Sequence, residues 1–410
     1  MIGLSSFYDV AIKLASDLIK IDSTNPPGYT NEVAAFIKDF LNSYGISSNT
    51  YEFEKNKTNL IAAIGKGSPT LILNGHMDVV PPGDEGKWEY PPFSGKIVGD
   101  KLFGRGASDM KSGLAVLISA AVELRDFIEG LGNGSILLVA SADEEVGGHA
   151  GMQGLVESGL IKGDAAIIAE PSGYYVLSVG EKGLCQTKLI TRGIPCHASL
   201  PIFGENAIMK MYNALEKAKT TIERLNEKIN VPEDLNAVID DMVKLYSRIN
   251  KEGVNAKEFE RQIKGISFSP GVIRGGNKIN TVPDYCEVEL DMRTPPGCIC
   301  KNVRDALRKD LEGTAEVKGI DTSEASFTPL SEVIVRVAMD SISRVIKDKV
   351  LLRIETGATD GRYLRGIGIP TIIYGPGELF AAHSYNEYVK LNDIKVSLDA
   401  TEEIIKNYFK

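Results

Sequence analysis

A chain of 410 residues is longer than one ordinary hydrophobic core supports, so two domains are expected. Apolar residues make up 43% and charged residues 25%, the proportions of a soluble globular protein. The formal net charge of −9 argues against nucleic acid, anionic membranes and polyanions as partners.

The chain begins Met-Ile-Gly-Leu-Ser-Ser-Phe, with neither a basic segment nor an apolar stretch of signal length, which reads as a cytoplasmic protein. Residues 5–20 and 31–44 have the periodicity of amphipathic helices, the second capped by Thr30 and stopped by Gly45. Strands are expected near 46–53, 59–64 and 69–74, and Val98-Gly-Asp-Lys101 reads as a hairpin turn. Gly-Arg-Gly-Ala-Ser-Asp-Met-Lys-Ser-Gly at 104–113 opens a long helix that runs to about Phe127. Its most apolar part, Leu114 to Leu124, is too short to span a bilayer and carries Glu123. A strand at Ile136–Ala142, a short helix at 150–158 and a strand at Ala165–Ala169 continue the alternation.

From about residue 181 the pattern changes. A strand at Leu184–Thr191, a helix at 205–228 and strands at 266–274 and 284–293 precede a helix at 299–312 and a strand at 314–320. In the period-two strand, Cys286, Val288, Leu290 and Met292 share one face, and Glu287, Glu289, Asp291 and Arg293 the other. Strand-helix-strand-strand-helix-strand suits a ferredoxin-like sandwich, with the polar helical stretch 229–265 elaborating it. The α/β alternation then resumes with a helix at 330–346, strands at 350–355 and 369–374, and a helix at 391–408. The expected fold is therefore α/β, a central mixed sheet flanked by helices, made discontinuous by an inserted α+β domain. Boundaries fall at 1–180 with 322–410 for the larger domain and 181–321 for the insert. Cys185, Cys196, Cys286, Cys298 and Cys300 form no CxxC pair and are odd in number, so they are expected as reduced thiols.

One grammar recurs: an apolar strand, then a metal-binding type of side chain. His76 and Asp78 follow Leu71-Ile-Leu-Asn-Gly; Asp143, Glu144 and Glu145 follow Ile136–Ala142; Glu170 follows Ala165–Ala169. Asp109 opens a helix, and His383 lies in the loop after Thr371-Ile-Ile-Tyr-Gly-Pro-Gly. Carboxyl ends of strands in open α/β sheets form the ligand crevice, so these groups should converge there. Crowded carboxylates repel unless a cation neutralises them. Two imidazoles with several carboxylates and no thiolate suit one or two divalent ions of the zinc, cobalt or manganese kind.

Gly75-His-Met-Asp-Val-Val-Pro, Gly104-Arg-Gly-Ala-Ser-Asp-Met-Lys, Asp143-Glu-Glu-Val-Gly-Gly and Glu170-Pro-Ser resemble, in order and spacing, a co-catalytic metallopeptidase family. It includes acetylornithine deacetylase, succinyl-diaminopimelate desuccinylase, aminoacylase and glutamate carboxypeptidase. The resemblance covers essentially the whole chain. It implies a zinc-peptidase-like catalytic domain, an inserted ferredoxin-like lid, and a homodimer formed through that lid. It further implies two divalent ions, zinc in first place, bridged by Asp109, with His76 and Glu170 completing one and Glu145 and His383 the other. Glu144 would be the general base, Asp78 the orienter of His76, and Asp109-Met110 a cis peptide. Asn280, Arg293, Gly357 and Lys182 would face the substrate, and His197 would reach the partner's active site. His149 matches no ligand position. The implied substrate is an N-acyl amino acid, with a dipeptide or other short peptide as the alternative on the same site.

Overall fold

The computed structural model describes residues 6–249, 255–378 and 380–410. The N-terminal residues 1–5 and part of the stretch 229–265 read above lie outside the described residues. The chain divides into two compact units, one of residues 1–179, 328–353 and 359–410, the other of 180–327 and 354–358.

The first unit is built on a mixed sheet. Strands run in the order Ser48–Glu54, Lys57–Lys66, Gly134–Ser141, Thr70–His76, Ala165–Ile168, Thr371–Ile373 and Val176–Glu181. Thr70–His76 pairs parallel on both sides, Leu73 lying opposite Leu138 and Ile167. Parallel strands covered on both faces are apolar throughout, and Leu71, Ile72 and Leu73 are fully buried. Helices Phe7–Ile19, Lys111–Glu123, Val333–Ile346 and Leu391–Tyr408 belong to the same unit. The long helix expected to open within residues 104–113 begins at Lys111, but it is interrupted at Leu124 and resumes as Arg125–Gly130. Thr30 holds the N-cap position of the second helix, as expected, but its hydroxyl donates to the carbonyl of Thr58 rather than capping the helix N–H groups. Gly45 ends that helix in the left-handed region at φ +75°, as expected of a glycine stop.

The second unit is an antiparallel sheet in the order Ser269–Gly275, Tyr285–Asp291, Gly183–Arg192, Glu316–Ser323, which is the strand order of a ferredoxin-like sandwich. Cys286, Val288, Leu290 and Met292 are buried against Met211, Ala214, Ala218, Val303 and Leu307 of helices Ala207–Asn226 and Cys300–Asp310. Each large side chain so buried contributes about 1.5–3 kcal/mol of transfer free energy. Helices Leu235–Ile249 and Ala256–Lys264 extend this unit.

The expectation of five reduced cysteines is overturned. Cys185, on the first strand of the sandwich, and Cys300, at the start of its second helix, face each other in the core and form a disulfide. Cys196, Cys286 and Cys298 remain free. Three thiols per chain should therefore react with Ellman's reagent in denaturant, rising to five after reduction. Five without reductant would remove the cross-link. Among the described residues no helix is long and apolar enough to cross a membrane.

Candidate active site

Adjacent strand ends deliver the donors. His76 is the last residue of its strand and lies opposite Ser141, the last of the neighbouring strand; Glu144 and Glu145 follow Ser141 within four residues. On the other side Glu170 follows the strand Ala165–Ile168. Asp109 arrives from the loop that starts the helix Lys111–Glu123. That helix comes close because two residues lack a side chain. A Cβ on Gly75 would lie 2.9 Å from Met110 Cε, and one on Gly113 only 1.9 Å from the carbonyl oxygen of Ala169. The Asp109–Met110 peptide is cis, as the resemblance implied.

Asp109 presents its two oxygens to two different imidazoles. Oδ1 lies 3.1 Å from His76 Nε2, and Oδ2 lies 3.2 Å from His383 Nε2. Glu170 Oε1 is 3.6 Å from His76 Nε2, and Glu145 Oε2 is 3.2 Å from His383 Nε2. Glu144 Oε2 stands further out, 4.0 Å from His76 Nε2. Two donor groups result, His76 with Asp109 and Glu145, and His76 with Glu144 and Glu170.

The protons identify what belongs between these groups. His76 Nδ1 lies 2.9 Å from the carbonyl oxygen of Asp78, an acceptor, so Nδ1 carries the hydrogen and Nε2 of the neutral ring is a lone pair. That lone pair faces three carboxylates, an arrangement that is repulsive unless the ring is protonated or a cation lies between. Burial works against a charged His76, yet Glu170, Asp109 and Glu144 hold its pKa well above the ordinary value. Burial pushes Glu144 well up and Glu145 up, and burial with the neighbouring Asp109 charge raises Glu170 to about 8. Hydrogen bonds that its ring donates to Asp109 and Glu145 raise His383 to about 10. Glu145 Oε1 is buried with no hydrogen-bond partner. Oxygen and imidazole donors, surplus carboxylates and an orphaned carboxylate oxygen together fit divalent cations and no thiolate metal.

The supporting residues differ in part from those expected. Asp78 holds His76 through its backbone carbonyl; its carboxylate Oδ1 is 3.8 Å from the ring. The carboxylate instead accepts the backbone N–H groups of Glu144 and Glu145, both at 3.1 Å, and the side-chain amide of Asn25 at 2.8 Å. Asp78 therefore fixes the turn that presents both glutamates. Asp143 enters that turn at φ +65°, its carboxylate held by Lys57 at 2.8 Å and by the Ala150 N–H at 3.1 Å. Asp360, buried and raised to about 6 by that burial, accepts from the Ser141 hydroxyl at 2.6 Å.

In the second unit Lys182 departs from expectation. It faces neither solvent nor an open pocket: it is buried, and Nζ donates to the carbonyls of Gln262 at 2.7 Å and Gly265 at 2.8 Å, closing the end of the helix Ala256–Lys264. Arg293 forms a two-bond pair with Asp291 at 2.8 and 3.1 Å. Asn280 and Gly357 are exposed. His197 is exposed too, and its Nδ1 accepts the Ser199 N–H at 3.2 Å, which leaves the hydrogen of the neutral ring on Nε2. His149, in the first unit, is exposed and bonded to Gln153. Sequence reasoning missed Glu387, fully buried, whose Oε1 accepts the N–H groups of Ser108 at 2.8 Å and Asp109 at 3.0 Å. No local pattern marks it, because its partners lie nearly 280 residues away.

A mixed sheet with imidazoles and carboxylates gathered at the carboxyl ends of its parallel strands is the build of an α/β metallohydrolase. The model of peptidase family M20/M25/M40 matches residues 72–407, and the chain belongs to that family. It is 29% identical to a Staphylococcus aureus protein named a probable succinyl-diaminopimelate desuccinylase, over 97% of each chain. The structure of an M20 family metallo-carboxypeptidase from Sulfolobus solfataricus superposes with a TM-score of 0.79 at 21% identity, covering 97% of this chain and 99% of that one. A Bacillus subtilis structure described as a dinuclear metal-binding peptidase of the M20 family gives 0.65 at 16% identity, over 97% of each chain. The chain is thus a hydrolase of amide bonds.

Proposed function

We propose that this protein hydrolyses the amide bond of an N-acyl amino acid, of the deacetylase or desuccinylase type, at a site holding two divalent cations. The observation that carries the reading is Asp109, whose two carboxylate oxygens each face a separate histidine that also faces a glutamate. His76, Asp109 and Glu170 would hold one ion, and Asp109, Glu145 and His383 the other. Zinc suits these nitrogen and oxygen donors first, with cobalt or manganese as alternatives. When bound, such ions acidify a water and polarise the scissile carbonyl.

Glu144 acts as the base. Its carboxylate stands 4.0 Å from His76 Nε2, further than those of Asp109 and Glu170, and its backbone N–H is fixed by Asp78, so its side chain can approach a water without serving as a ligand. It takes the water's proton and delivers it to the leaving amine nitrogen. The unit of 1–180 and 322–410 would be catalytic, and 181–321 the lid. Asn280, Arg293 and Gly357 would meet the substrate's carboxylate end, the planar fork of Arg293 matching a carboxylate in two bonds and already oriented by Asp291.

The lid would also pair with a second copy of the chain. Its edge strand Ser269–Gly275 is exposed along its whole length, and Ile273, Met209 and Tyr212 are exposed apolar residues of the same unit. In that dimer His197, with its Nε2–H, would reach the partner's active site, and the assembly would work in the cytoplasm. Sedimentation should show a species of twice the chain mass; a fully active monomer would remove His197 from catalysis in trans. A panel of N-acetyl amino acids, N-succinyl amino acids and dipeptides, with zinc or cobalt added, tests the substrate class. Turnover of acylated amino acids is expected; turnover of dipeptides alone would move the site to peptidase chemistry.

A further inference from the structure

We infer that the buried Arg105–Glu387 ion pair is a positioning clamp that sets the cation site formed by His383, Glu145 and Oδ2 of Asp109. This rests on the two-cation reading above.

The two cation sites are built differently. His76 ends a strand held on both flanks by parallel neighbours, and Glu170 follows the end of one of those neighbours. His383 comes ten residues after the strand Thr371–Ile373, with its side chain 53% exposed and its backbone at φ +59°. Nothing in its own segment resembles a strand end, so its distance from Asp109 depends on what joins the two loops.

That join is Glu387, four residues beyond His383. Its Oε1 accepts the N–H groups of Ser108 and Asp109, and its backbone carbonyl accepts the N–H of Gly104 at 3.0 Å. Its Oε2 receives Arg105 Nη1 at 2.5 Å. Arg105 reaches on to a third loop: Nη2 lies 3.4 Å from the Pro81 carbonyl, and the guanidinium sits 5.1 Å from the centre of the Trp88 ring. Trp88 is pinned by its own N–H to the Pro82 carbonyl at 2.9 Å and meets Tyr385 edge-on at 6.3 Å. One ion pair therefore ties together the loop after Asp78, the loop that holds Asp109 and the loop that holds His383. Arginine suits the position because two nitrogens of its rigid planar fork reach the carboxylate and the carbonyl separately, a fixed spacing that a single ammonium on a flexible stem does not hold.

The clamp touches neither substrate nor cation, so its signature is metal affinity at one site. Cobalt(II) titration of the metal-free full-length chain, followed by heat and by visible absorption, should give two steps, one of which His383→Ala abolishes. In Glu387→Gln and in Arg105→Lys that same step should weaken by about 10–100-fold, the usual effect of removing a group that orients a ligand. The other step should weaken clearly less, because His76 and Glu170 stand at the ends of paired strands that the clamp does not touch. A purely structural pair would lower the thermal midpoint of the metal-free protein and leave both steps alone; that result, or equal weakening of both steps, would overturn the clamp. Arg105→Lys keeps the charge and serves if Glu387→Gln does not fold. Uptake of a single equivalent by the parent chain would overturn the two-cation reading instead, a distinct result.

Discussion

Glu144→Gln is expected to lower turnover of an N-acyl amino acid by about 10²–10⁴-fold, the range supplied by a positioned general base. The substitution keeps the shape of the side chain and removes its ability to accept a proton. Cation content should stay that of the parent, because Glu144 stands further from His76 than Asp109 and Glu170 do, and its turn is held by the bond from its backbone N–H to Asp78. KM should change far less than kcat, since the lost interaction is made as the water attacks and not when substrate binds. Unchanged turnover with metal still bound would mean another group takes the proton. Loss of metal along with activity would make Glu144 a ligand.

Asp109→Ala should have the larger effect on the site as a whole. The single carboxylate faces both His76 and His383, so its removal takes one ligand from each ion and the link between them. Both cations should bind more than about 10²-fold more weakly, exceeding the loss seen when only a group behind a ligand is removed. Activity should fall to the level of the metal-free parent. Glu145→Ala, by contrast, should weaken only the ion shared with His383, because Glu145 Oε2 lies beside that ring at 3.2 Å. Equal loss of both ions in Glu145→Ala would contradict the division of ligands. Metal analysis by plasma mass spectrometry after dialysis against a chelator separates these outcomes.

Much of the site was readable because its donors follow a local rule. His76 ends an apolar strand and Glu144, Glu145 and Glu170 stand just past two others, and those strands are written in the apolar runs Leu71-Ile-Leu, Ile136–Ala142 and Ala165–Ala169. Asp109 and His383 needed the spacing of whole motifs. The sandwich was equally plain, since Cys286, Val288, Leu290 and Met292 alternate and all four are buried.

What escaped is tertiary. Val176–Glu181 was passed over because every residue in it is buried, so it shows no alternation, and its serine and glycine interrupt the apolar run. Cys185 and Cys300 are 115 residues apart and meet only once the first strand of the sandwich lies against its second helix. Lys182, expected to face the substrate, is instead buried on carbonyls supplied some 80 residues later. Arg105 sits inside a quoted motif, yet its meaning comes from Glu387, 282 residues downstream. Asp78 does orient His76, but through its backbone carbonyl: spacing in an extended chain places side chains on one face and does not say which oxygen makes the bond.

The most direct test is anomalous diffraction at the zinc or cobalt edge from crystals of the metal-loaded protein. Two peaks should flank the Asp109 carboxylate, one against His76 and Glu170 and the other against His383 and Glu145. A single peak bound without Asp109, or full occupancy at some other cluster of side chains, would contradict the bridged site on which the proposed hydrolysis depends.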